Sequence, residues 1–134
     1  MRTKSKRGRR GFTLIEMAIV ISMILVLLSI ALPMYSRSIT RSKEATLRHN
    51  LVTLNKAITE YSLDKKHAPQ SLDELVPAYV KFIPEDITGR TDTWVTERED
   101  PQDAYDPNQP GIGSVHSGSK ETSTEGTDYS TWTH

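Results

Sequence analysis

The chain has 134 residues, no cysteine, and 17 basic against 17 acidic residues. That length holds one small domain beyond any apolar anchor, and the missing cysteine excludes disulfides, thiol nucleophiles and cysteine metal sites. The zero net charge hides an asymmetry: six of the 17 Lys and Arg lie between Met1 and Arg10, which carry no acid. The remainder is therefore acidic and unsuited to neutralising nucleic-acid phosphates, so no nucleic-acid partner is expected.

Behind the basic leader the chain turns apolar. From Met17 to Leu32 its only polar residues are Ser22 and Ser29, and residues 12–35 supply the length of a membrane-crossing helix. One acid, Glu16, lies near the start of the span and one helix breaker, Pro33, near its end. Basic residues ahead of an apolar run hold that end in the cytoplasm. A secretory cleavage site follows the apolar region and needs small residues, and Ala31-Leu32-Pro33 fits that poorly. The alternative cut, between Gly11 and Phe12, removes only the leader at 1–11 and keeps the span.

Arg10-Gly11-Phe12-Thr13-Leu14-Ile15-Glu16 followed by an apolar run resembles the prepilin motif of type IV pilins and type II secretion pseudopilins. The resemblance covers Arg10 to Pro33. It implies that Gly11 precedes the bond cut by a prepilin peptidase and that Phe12 becomes the N-methylated N-terminus. It also implies that Glu16 is the family's acid at the fifth mature residue and that Pro33 is its helix-kinking proline.

The chemistry of these residues agrees. Gly11 offers a protease subsite its smallness, and an unpaired carboxylate at Glu16 inside the apolar span costs several kcal/mol. Glu16 therefore wants a cation, and the amine created at Phe12 is about one helical turn away. The amine of an incoming subunit can meet Glu16 of its neighbour and set the register of a filament; a carboxylate snorkelling to the headgroups is the alternative. Pro33 lacks an amide hydrogen, so a bend or a melted stretch just before it is expected.

Past Pro33 the pattern becomes amphipathic. Leu47, Leu51, Leu54, Ile58 and Tyr61 recur at steps of four, three, four and three, which is one helical face. Arg41, Lys43, Glu44, Arg48, Lys56 and Glu60 are read as its polar surface. The spacing predicts a nearly continuous helix from Thr13 to about Asp64, with residues 36–64 as its amphipathic half. That half needs a cover, which the C-terminal region at 65–134 must supply.

Lys65-Lys66-His67-Ala68-Pro69 is a helix stop, and Ser71-Leu72-Asp73-Glu74 a capping box opening a short second helix. Residues 92–98 and 112–117 read as strands. The Gly-, Ser- and Thr-rich end from Gly118 reads as loop, with Tyr129 and Trp132 as anchors onto the domain. The expected fold class is α+β, type IV pilin-like: a long N-terminal helix, membrane-embedded in its first half, packed on a small C-terminal β and loop domain.

This half is similar to the major, G-type pseudopilin in its Tyr-Asp-Pro order, capped helix, Ile83-Pro84, Trp94 strand and closing loop from Glu125 to Trp132. That resemblance implies Ca²⁺ ordering the terminal loop, with Ser117, Glu125 and Asp128 nearest the family's ligand pattern. Hard oxygen ligands suit Ca²⁺, and acids that merely solvate a loop are the alternative. The acidic run Glu97, Glu99, Asp100, Asp103 and Asp106 has the same two readings.

Four histidines without paired spacing, and no nucleophile elbow or phosphate loop, give no catalytic site, so no enzyme is expected. The function implied is a filament subunit: the major pseudopilin of a type II secretion system, held in the inner membrane with its domain in the periplasm. Its implied partners are copies of itself, prepilin peptidase, minor pseudopilins, an inner-membrane platform protein, an assembly ATPase, and membrane lipid before assembly. The alternatives are a type IV pilus major pilin, on the surface for adhesion or twitching, and a single-pass anchored binding or enzymatic domain.

Overall fold

The computed structural model describes residues 11–133, so the basic leader lies outside the described residues apart from Gly11. The chain forms a long helix α1 (Leu14–Lys65), a single 3₁₀ turn (Leu72–Leu75), strands β1 (Trp94–Arg98) and β2 (Ile112–Ser117), and a second 3₁₀ turn (Tyr129–Thr131). It divides into two compact units, the first ending at Arg37 and the second beginning at Ser38. The architecture is α+β and pilin-like.

In the first unit, every described residue is exposed, including Phe12, Leu14, Ile24, Leu27 and Leu32. The two hydroxyls inside the apolar run bond to their own helix: Ser22 Oγ donates to the Ala18 carbonyl and Ser29 Oγ to that of Val26, both at 2.7 Å. With its hydroxyls satisfied internally, and its backbone too apart from the Ser29 carbonyl that faces Pro33, this helix suits a medium that offers no hydrogen bonds. By length and composition it can cross a membrane.

In the second unit, the predicted stripe is the core. Leu47, Leu51, Leu54 and Ile58 are at most 2 % exposed. They pack with Leu75, Val80, Trp94, Ile112, Val115, Tyr129 and Trp132. Each such side chain contributes about 1.5–3 kcal/mol relative to exposure. The helix stops where expected: Lys66 adopts φ +62° and its N–H returns to the Ser62 carbonyl at 2.9 Å, a left-handed C-cap.

The expected second helix is only one 3₁₀ turn. Ser71 Oγ accepts from the Asp73 N–H at 3.2 Å as a cap does. Glu74, however, accepts from the Tyr61 hydroxyl at 2.8 Å and from the Gln70 N–H at 3.3 Å, not from the cap residue's own amide. With Pro77 close behind, nothing extends the turn into a helix.

Strands β1 and β2 pair antiparallel from Trp94↔Ser117 to Arg98↔Ile112, with an irregularity between Glu97 and Arg98. β2 occupies the predicted residues. β1 starts two residues later than predicted; ahead of it, Asp92 pairs with Arg90 at 2.6 Å and the Thr93 hydroxyl donates to Asp86 at 2.9 Å. The side chain of Asn55, on α1, bonds both backbone groups of Val115 and so closes part of the edge of β2.

Candidate processing and assembly site

Thr13 and Glu16 make a reciprocal capping box at the start of α1. The Glu16 N–H donates to Thr13 Oγ1 at 3.2 Å, and the Thr13 N–H donates to Glu16 Oε2 at 2.9 Å. Two amides that a helix start leaves unpaired are thereby satisfied. Negative charge here also opposes the positive end of the helix dipole. Oε1 of Glu16 meets no hydrogen-bond donor among the described residues, so the carboxylate keeps one oxygen for a further partner.

Gly11 sits just before this box. A Cβ added to it meets nothing within 4 Å. The packing of the chain therefore places no demand for glycine there, and any demand for smallness comes from outside the chain.

Pro33 lies inside α1, which runs through it without interruption. Of the bend or melted stretch expected at Pro33, the melted stretch is absent. A proline in mid-helix removes one amide, the one that would reach the Ser29 carbonyl, and leaves neighbouring turns bonded. The turn after Pro33 gains a bond from Ser36 Oγ to the Pro33 carbonyl at 3.0 Å.

The three residues implied for calcium are engaged with protein partners. Ser117 is fully buried and donates its hydroxyl to Asp86 Oδ2 at 2.8 Å. Glu125 Oε2 pairs with Arg48 at 2.9 Å, and Asp128 Oδ1 accepts from Thr122 Oγ1 at 3.1 Å. Among the described residues no group of three or more His, Cys, Asp and Glu is arranged to hold a metal ion. Each of the three thus already serves a contact within the protein. Within the acidic run at 97–106, Asp100 and Asp106 accept from the N–H groups of Gln102 and Asn108, and Glu97 accepts from Ser114 on β2.

Reading Glu44 as polar surface is corrected by the structure, since it is only 5 % exposed. It accepts from the Thr124 N–H and Oγ1, each at 2.6 Å, and from the Tyr129 hydroxyl at 2.9 Å. Burial alone raises its carboxyl, but these hydrogen bonds and nearby Arg48 outweigh it and hold the group below its ordinary 4.5. Burial, then the bond to Glu44, pushes the Tyr129 phenol up to about 12. The signal was in the spacing: position 44 precedes Leu47 by three and so falls on the buried stripe.

Residues 6–32 match the family model described as the prokaryotic N-terminal methylation motif. No curated protein and no solved structure matches the chain. The motif covers Gly11, Phe12 and Glu16 and, with the α+β fold, supports a type IV pilin-like chain.

Proposed function

We propose that this chain is a structural filament subunit, the major pseudopilin of a type II secretion system. The observation that carries the reading is the exposed apolar start of α1, whose first turn holds Glu16 within a methylation motif. A prepilin peptidase cuts after Gly11, and the retained span waits in the inner membrane with its domain on the periplasmic side.

On assembly the helix leaves lipid for a core of like helices. Lipid tails are as apolar as leucine, so that transfer gains little hydrophobic free energy. Packing and the pairing of Glu16 with the Phe12 amine of a neighbour supply the register, and a cytoplasmic ATPase acting through a platform protein supplies the work. Minor pseudopilins share the filament. A chain without cysteine has no disulfide-closed terminal loop, which favours the secretion reading over a surface pilin.

Imaging of cells that produce the chain with its assembly machinery tests this. Short filaments within the periplasm are expected; long surface filaments replace the reading with a pilus subunit.

A further inference from the structure

We infer that the terminal segment of the second unit is fastened by a metal-independent latch, made by Glu44 and Arg48 of α1. The two lie one turn apart on the helix and carry opposite charges. Glu44 gathers three donors from the segment, the Thr124 N–H, the Thr124 hydroxyl and the Tyr129 hydroxyl. Arg48 pairs with Glu125 at 2.9 Å and lays its guanidinium 4.1 Å from the ring centroid of Trp132. Tyr129 and Trp132 in turn meet edge to face, 5.3 Å between centroids.

A small domain without cysteine needs something beyond its apolar core to hold a polar terminal segment. A multivalent cation does this by collecting oxygens from several chain positions. Here one buried carboxylate collects hydrogen-bond donors from the same segment and does equivalent work with the opposite charge. The donors suit an ionised acceptor, because charge-assisted bonds are about twice as strong as neutral ones. Of the oxygens that a cation at Ser117, Glu125 and Asp128 would recruit, the Ser117 hydroxyl and one carboxylate oxygen each of Glu125 and Asp128 already have partners in Asp86, Arg48 and Thr122. The latch lies wholly in the second unit, so it stands apart from the filament reading.

The test uses the full chain in detergent micelles. Trypsin cleavage after Lys120, exposed within the terminal segment, reports release of the segment. Excess EGTA or excess Ca²⁺ should change neither the cleavage rate nor the melting temperature. Tyr129→Phe, which keeps the ring and removes one donor, should speed cleavage by about tenfold, and Glu44→Gln by more. If Glu44→Gln fails to fold, Tyr129→Phe decides alone. Faster cleavage in EGTA, slower cleavage in Ca²⁺, or wild-type cleavage of Tyr129→Phe overturns the latch.

Discussion

Asn55 treats Val115 as a neighbouring strand would. Its Oδ1 accepts from the Val115 N–H at 2.9 Å, and its Nδ2 donates to the Val115 carbonyl at 3.3 Å and to that of Thr133 at 2.9 Å. One side chain from α1 thus satisfies backbone groups of both β2 and the terminal segment.

Removing it leaves a buried amide and carbonyl without partners, each costing about 1–3 kcal/mol. Asn55→Ala should therefore lower unfolding stability by roughly 2–4 kcal/mol. Asn55→Asp should cost at least as much, since it sets an acceptor against two carbonyls. Denaturant titration of the full chain in detergent checks this; a loss within error for both variants contradicts the role.

The pH dependence of stability follows from the latch. Glu44 has a lowered folded pKa, so its contribution is complete above the unfolded value of about 4.5 and is lost as pH falls through the folded one. The exposed Arg90–Asp92 pair adds a little in the same window, because Asp92 is also lowered. Tyr129 is raised to about 12, so its contribution holds below the ordinary 10.0 and is lost from there to about 12. Tyr61, bonded to Glu74, and Tyr79, bonded to Asp64, are also raised and share that alkaline loss. Melts from acid to alkali should show a plateau between two declines. Tyr129→Phe should reduce the alkaline decline and Glu44→Gln the acid one; unchanged declines in both contradict the assignment.

What could be read from the chain alone was what local spacing controls. The stripe from Leu47 to Tyr61 specified the buried face of α1, and alternation with β-forming residues before Arg98 pointed to β1. Lys66 and Pro69 marked where the helix stops. Glu44 was misread because its partners lie 80 and 85 residues away, and a lone acid among basic neighbours looks solvated. Ser117 ends β2 and Glu125 stands in the oxygen-rich terminal segment, and only the folded chain reveals that Asp86 and Arg48 engage them. Gly11 and Phe12 fall within the matched methylation motif, a pattern that is local in sequence.

Gly11→Val separates that signal from the fold. A Cβ at this position meets nothing in the chain, so the variant should fold and enter the membrane with unchanged stability. If cleavage after Gly11 requires a small residue, the variant should accumulate at precursor length by at least tenfold over wild type. Mature-length Gly11→Val on a denaturing gel contradicts the processing role.

A pair of variants can divide the capping contact of Glu16 from its proposed role in assembly. Glu16→Gln keeps the capping box, since either residue serves at that position, but removes the charge. Glu16→Ala removes both. Each should be processed normally, and each should lower filament yield severalfold if pairing with the Phe12 amine sets the register. A wild-type yield from Glu16→Gln, with loss only in Glu16→Ala, assigns the residue to helix capping and removes it from assembly.

The intact mass of the protein extracted from membranes and from any filaments it forms is the decisive measurement. The expected species lacks Met1–Gly11, begins at a methylated Phe12, and is the form recovered from polymer. A chain that still begins at Met1 and is never recovered from polymer contradicts the filament-subunit reading.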